Sequence, residues 1–498
     1  MKKGTVLFGE KMKKIFILLL SFFAALPLAA KTATIYHTSD THGFFYPKNG
    51  QGGAAALAAV LAAGPKNYLL LDGGDFAEGT VETQRSNGLK AVSLMNRLGY
   101  DAATVGNHEF AFRDDGFDAL LEAARFDVLA ANLVPAAGEK LPKRVKPYQL
   151  YNVNGMKVAV IGLANRNPTK KSQKYKFIKP LAALEKALQE AEKQQPDAVV
   201  VLVHDSLADD RPGSPNYIGD IGRQFGGRVQ VVLGGHAHKI FQNEWRGGIL
   251  FAESGCHFQN VTKITLETDD KTGKITDIRS ELIALNTAQT GEDKKMKAYA
   301  QSLREPGVDE VIGQTAAAFS KKSFIPTHQD DPVDNWVADA TCRYTPADVC
   351  IHNTGGARVG LPKGDITRRD IIDLYPFDNT VVTATVSGAF LKKLVAGGVV
   401  PWNRLAYSGL TFSYKKTKKG KIKKLKIWVR GERLQDDKQY TLAVNSYVAG
   451  GGSEGKLFKT LPQGSIRPAG QLTMRQILEA DFKNGPLTPP ATGRVVQK

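Results

Sequence analysis

Through the first half of the chain, short apolar runs recur between stretches of helical period: TATIYHT, NYLLLDG, AATVGN, FDVLAAN, KVAVIGL, AVVVLVH, VQVVLGG and GILFAES. Several run apolar without alternation, the pattern of strands covered on both faces, and segments such as GLKAVSLMNRLG between them repeat apolar residues every three to four positions. The pattern predicts an α/β layered unit over residues 32–285. The polar stretch NTAQTGEDKKMKAYAQSLREP, residues 286–306, reads as a linker helix, and a second α/β unit occupies 307–498. The alanine-rich GGAAALAAVLAAG at 52–64 predicts a helix; it lacks the Gly-Lys-Ser/Thr ending of a phosphate loop. KKTKKGKIKKLK at 415–426, set between the strand-like LTFSY and IWVR, predicts a hairpin with a lysine-rich turn. No internal repeat is evident.

Composition changes this picture little. Hydrophobic residues make up 42% and charged residues 23% of the 498 positions, which excludes a disordered, collagen-like or disulfide-stapled chain. Residues 13–30, KKIFILLLSFFAALPLAA, combine a lysine start, a short apolar run and small residues at a cleavage point, so residues 1–30 read as a signal peptide. The apolar run at 15–26 is short for ~30 Å of hydrocarbon, so no transmembrane anchor is expected after cleavage. Met12 offers a second, more compact start for the same signal. The mature protein is therefore expected in the periplasm or secreted.

The net charge is +18; the first thirty residues hold five lysines and Glu10, so the remainder is still about +14. Such a field concentrates phosphorylated, anionic substrates. The 415–426 tract contains no aromatic to stack a base, so no specific nucleic-acid partner is expected. Of the three cysteines, Cys342 and Cys350 are close enough in sequence to bridge, which would leave Cys256 free. With no CxxC motif, any metal site must be built from His, Asp and Asn.

The polar residues sit where the strands end. Asp40 and His42 follow the first in SDTHG, Asp72 and Asp75 the second in DGGD, and Asn107 and His108 the third in GNHE. His204 closes VVVLVH, and His236 with His238 follow VVLGG in GGHAH. Ligands of open α/β sheets gather beyond the strand ends, so these residues converge on one cleft. Hydrolysis of a phosphate ester needs charge neutralised on the phosphoryl oxygens and a hydroxide near neutral pH, which two metals about 3.5–4 Å apart supply. A bridging carboxylate, neutral imidazoles and an amide oxygen suit such a pair.

The order Asp-x-His, Gly-Asp, Gly-Asn-His-Glu, His and Gly-His-x-His resembles the calcineurin-like metallophosphoesterases. The opening YHTSDTHGFF is similar to the bacterial periplasmic 5′-nucleotidases and their 2′,3′-cyclic-nucleotide phosphodiesterase relatives. The resemblance implies a layered β-sandwich flanked by helices, followed by a substrate-binding domain. It implies two divalent metal ions, manganese, zinc or similar, one held by Asp40, His42, Asp75 and His238 and the other by Asp75, Asn107, His204 and His236. His238 stands where some of these nucleotidases have glutamine. His108 would contact the phosphate as a preorganised donor. The family's aspartate after GNHEF is Ala111 here; either Asp114 or Asp115, one helical turn on, substitutes for it at His108, or the imidazole is less well oriented and the substrate differs.

In the second half, ADVCIHNTGGARVGLPKGDIT resembles the family's Asn-x-Gly-Gly-x-Arg segment and implies substrate contacts at Asn353, Gly355, Gly356 and Arg358. YPFDN and NSYVAGGG match segments whose aromatics sandwich a nucleobase, here Phe377 and Tyr447. Two features depart: no Arg occurs between Arg304 and Arg343, and Ser453 stands where an aspartate is expected. The leading expectation is a hydrolase of small nucleotides of the 5′-nucleotidase type. A cyclic-nucleotide phosphodiesterase and 3′-nucleotidase, a hydrolase of another small anionic ester or thiosulfonate, and a non-catalytic surface-binding homologue remain as alternatives. Oligomeric state is left open.

Overall fold

The computed structural model describes residues 30–209, 218–321, 330–399, 405–417 and 422–498, and of Asp209 and Glu454 the backbone alone. The predicted signal segment up to residue 29 and the tip of the lysine-rich hairpin, 418–421, lie outside the described residues.

Two sheets stack in the N-terminal half. The first has seven strands in the order Ile275–Ala284, Asn260–Thr268, Thr32–Thr38, Leu69–Asp72, Ala102–Thr104, Asp127–Leu129 and Val145–Lys146. It is parallel from Thr32–Thr38 onward and antiparallel at its other edge. The second runs Ile240–Arg246, Ile249–Ser254, Val231–Gly234, Ala198–Val203, Met156–Leu163 and Tyr148–Val153. Ile35, Leu69 and Leu71 of the first pack on Val158, Val200 and Leu233 of the second, all at most 3% exposed. Helices Ala54–Ala63, Leu89–Leu98 and Arg113–Ala123 cover the outer face of one sheet, and Pro180–Glu192 with Ile218–Gln224 cover that of the other. Strands such as AVVVLV are buried at every position because both faces are covered, which is why the sequence shows no alternation there.

The linker segment contains helix Lys294–Ser302, whose Met296 and Ala300 are buried in the N-terminal core while its polar face stays outside. In the C-terminal half, strands Leu405–Ser408, Val349–Asn353, Gln439–Asn445, Thr380–Ser387 and Arg467–Thr473 form a five-stranded sheet. Strand alternation sends Val349, Ile351, Leu442 and Val444 to one core and Cys350 and Ala443 to the other. Cys342 and Cys350 form a disulfide across this second core, with Cα atoms 5.6 Å apart, and Cys256 is free. Strands Leu410–Lys416 and Ile422–Val429 pair antiparallel as the hairpin expected from the lysine-rich tract. Among the described residues, no helix is long and apolar enough to cross a membrane.

The halves meet beside the strand ends. Arg369 places both terminal nitrogens 2.8 Å from the carboxylate of fully buried Glu82, and the Arg369 and Arg304 guanidinium groups stack over the Tyr46 ring.

Candidate metal centre and substrate cleft

The loops after the first, second and eleventh strands in chain order carry the polar cluster in strained backbone. Asp40, His42, Asp75, His236 and His238 all have φ between 50° and 79°, the left-handed region that side chains other than glycine rarely adopt. Packing between loops holds them there. The Asp40 amide donates to the Gly74 carbonyl at 2.9 Å, and the His42 amide to that of Asp75 at 3.0 Å. A side chain at Gly106 would place its Cβ 2.1 Å from Asp75 Oδ1, and one at Gly235 would lie 1.9 Å from Ser39 Oγ, so glycine is required at both.

Asp75 lies at the centre. Its Oδ2 is 3.1 Å from His204 Nε2, 3.9 Å from His108 Nε2 and 4.0 Å from His42 Nε2. Asp40 Oδ1 is 3.5 Å from His238 Nε2, and the His42 and His238 Nε2 atoms are 3.1 Å apart. Four overlapping groups have ligand atoms within 4.8 Å of one another among the described residues: Asp40, His42 and His238; His42, Asp75 and His108; Asp75, His204 and His236; and His238, Cys256 and His257. Asn107 stands beside the third. The buried Asn107 Oδ1 has no hydrogen-bond partner, an amide oxygen suited to a cation. His204 Nδ1 donates to the Gly73 carbonyl and His42 Nδ1 to the Glu78 carbonyl, both at 2.6 Å, which fixes the tautomers that present Nε2 to the cleft. The donor set of carboxylates, imidazoles and one amide thus fits divalent cations.

Electrostatics agree. Burial alone would lower the pKa of His204, but Asp75, with Asp40 behind it, reverses this and lifts it to about 10. Burial raises Asp40 to about 7, whereas at Asp75 burial is overcome by His204 and His108, which hold it well below the carboxylate range.

Glu109, the last residue of GNHE, was not singled out by the sequence. Its buried carboxylate accepts the amides of Asp75, Phe76 and Ala77 at 2.9–3.1 Å and that of Gly106 at 2.6 Å, tying the second loop to the third. Its only sequence signal is its place directly after His108. The expectation that Asp114 or Asp115 orients His108 is corrected: Asp114 accepts the Gln173 and Lys174 amides, and Asp115 pairs with Lys174. Glu78 takes that place instead, with Oε2 2.6 Å from His108 Nδ1.

A cavity of about 340 Å³ opens from this cluster. His42, His108, His238, Glu78 and His257 line it from the N-terminal half, and Arg358, Asp373 and Phe377 from the C-terminal half. The Arg358 guanidinium lies 5.9 Å from the Phe377 ring centroid. Burial lowers its pKa to about 10, a value at which it is still a cation near neutrality. Asn353, Gly355, Gly356 and Tyr447 do not line this cavity. Asn353 Oδ1 accepts from the Asn445 amide at 2.7 Å in a buried network, Gly356 packs against His352, and Tyr447 is 50% exposed. In the stretch that lacks an arginine, the buried Lys321 Nζ lies 2.7 Å from both Asp334 Oδ2 and the Thr354 carbonyl, bracing the Asn353 loop from behind.

The profile of the calcineurin-like phosphoesterase family matches residues 33–239, the span that carries the whole polar cluster. Fold and cluster together are similar to those of metal-dependent phosphoesterases. The profile of the 5′-nucleotidase C-terminal domain matches residues 311–462, so the chain resembles the 5′-nucleotidases in both of its halves. It is 26% identical over 479 residues to a 5′-nucleotidase of Vibrio cholerae, covering 84% of this chain and 85% of that one. It is also 26% identical over 423 residues to the endonuclease YhcR of Bacillus subtilis, covering 80% of this chain but only 34% of that protein, about a third of its length. The crystal structure of a 5′-nucleotidase precursor from Thermus thermophilus shares the fold, with a TM-score of 0.77, 24% identity, and 94% and 99% of the two chains covered.

Proposed function

We propose that this chain is an exported phosphoesterase that hydrolyses nucleotides to nucleoside and phosphate, acting in the periplasm or outside the cell. The observation that carries the reading is that one cavity joins the histidines of the Asp75 cluster to Arg358 and Phe377 from the other half. In this reading Asp40, His42, Asp75 and His238 hold one divalent ion and Asp75, Asn107, His204 and His236 the other. Bound cations supply Lewis acidity to the phosphoryl oxygens and lower the pKa of the attacking water. His108 Nε2 donates to a phosphoryl oxygen, Arg358 offsets its negative charge, and Phe377 stacks on the base. Residues 32–285 act as the catalytic domain and 307–498 as the substrate domain, joined by 286–306.

A second reading, a hydrolase of smaller anionic esters, is favoured by the exposure of Tyr447, which leaves Phe377 without the second wall of an aromatic sandwich in this arrangement. One assay separates the two: phosphate release from AMP, 2′,3′-cyclic AMP and p-nitrophenyl phosphate, with manganese or with chelator. Manganese-dependent turnover that prefers one nucleotide supports the nucleotidase and names its ester class. Turnover of the nitrophenyl ester alone supports the second reading, and no turnover of any ester refutes both.

A further inference from the structure

Glu78 lies three residues after the central carboxylate Asp75 in the same loop, and it touches two imidazoles at once. Its backbone carbonyl accepts from His42 Nδ1 and its carboxylate from His108 Nδ1, each at 2.6 Å. The next residue pins it in place, because a Cβ at Gly79 would lie 2.4 Å from the His42 carbonyl oxygen, so the Glu78 backbone stays against the Asp40–His42 loop. A carboxylate can only accept here, so His108 donates from Nδ1, and the imidazolium form keeps a second proton on Nε2 with which to donate. Nε2 is then turned to the opposite side, 3.9 Å from Asp75 Oδ2 and facing the cavity. The segment that follows His108 offers no alternative: Ala111 has no polar group, while Asp114, Asp115 and Asp118 are engaged with the 173–174 backbone and the Lys174 ammonium.

We propose that Glu78 is the positioning residue for His108. It reaches across from the Asp75 loop and aims Nε2 at the phosphoryl group, so one loop sets both the central carboxylate and the orientation of the neighbouring donor. Glu78 also faces Arg358 across the cavity, and its charge is the one that opposes the lowering of the Arg358 pKa on burial. The proposal rests on the phosphoesterase reading of the cleft.

The test is a double-mutant cycle on the full chain loaded with manganese, using whichever of AMP and p-nitrophenyl phosphate the wild type turns over. Glu78→Ala is expected to lower kcat by about 10–100-fold, with KM within about threefold and bound manganese unchanged. In a His108→Ala background the same change is expected to cost less than about twofold, because the group it positions is gone. Glu78→Gln keeps an acceptor oxygen at the same reach and is expected to retain most of the rate. An equal loss in both backgrounds, an equal loss for Ala and Gln, an unchanged kcat or a loss of manganese would each overturn the proposal. A wild-type protein that hydrolyses neither substrate refutes the phosphoesterase reading itself, and that result precedes any variant.

Discussion

The two ends of the cavity are built differently. At the metal end each side chain leaves a strand of a buried sheet, five of the residues are locked in left-handed backbone, and Glu109 ties two of the loops together through four amides. At the other end Phe377 follows the seven-residue helix Arg368–Leu374, and Tyr447 sits half exposed on the four-residue helix Ser446–Ala449. Chemistry that depends on charges held a few ångströms apart needs the first kind of support, whereas stacking on a base face tolerates the second. Of the departures from the family pattern, Ala111 lies at the first end, where Glu78 reaches His108 instead, and the missing arginine and aspartate both fall in the C-terminal half.

The largest expected effect is at the centre. Asp75→Asn removes the carboxylate proposed to bridge the two ions and should lower turnover of every ester by about 10³-fold or more, with bound metal falling alongside it. His204→Ala should come next, losing one ion of two by elemental analysis while the fold persists; both ions retained would show that His204 is not a ligand. Phe377→Ala should weaken nucleotide turnover by about 1–3 kcal/mol, expressed in KM, and leave p-nitrophenyl phosphate almost unchanged. Equal losses for both substrates there would erase the contrast between the two ends. Tyr447→Ala should matter less than Phe377→Ala in this arrangement, and an equal effect would mean that the C-terminal half moves to bring Tyr447 onto the substrate.

The smallest effect concerns stability. Burial raises the Asp373 carboxyl from 3.8 to about 7, and its Oδ1 has no hydrogen-bond partner. A raised carboxyl favours its neutral form in the folded chain. Its cost is therefore absent below 3.8, grows as the unfolded chain ionises first, and is complete above about 7. Asp373→Asn should raise the Tm by a few degrees at about pH 8 and do little at about pH 4, read by thermal unfolding. A stabilisation that does not change with pH would assign the gain to packing instead.

The order of elements, the strand ends that carry Asp40, Asp75, Asn107 and His204, and the family itself were legible in the sequence. They depend on local pattern: an apolar run that is buried on both faces, then a polar residue beside glycine where the strand leaves the sheet. Other features needed the fold. Which carboxylate orients His108 was decided by a contact between residues thirty positions apart, made when two loops pack, and the nearer candidates Asp114 and Asp115 were drawn off by the 173–174 backbone and Lys174. Only the tertiary arrangement brought Arg358 and Phe377 to the same cavity as His42 and His108 while leaving Tyr447 outside it. Composition and spacing record what a residue can do, and backbone packing determines which of its possible partners comes within reach.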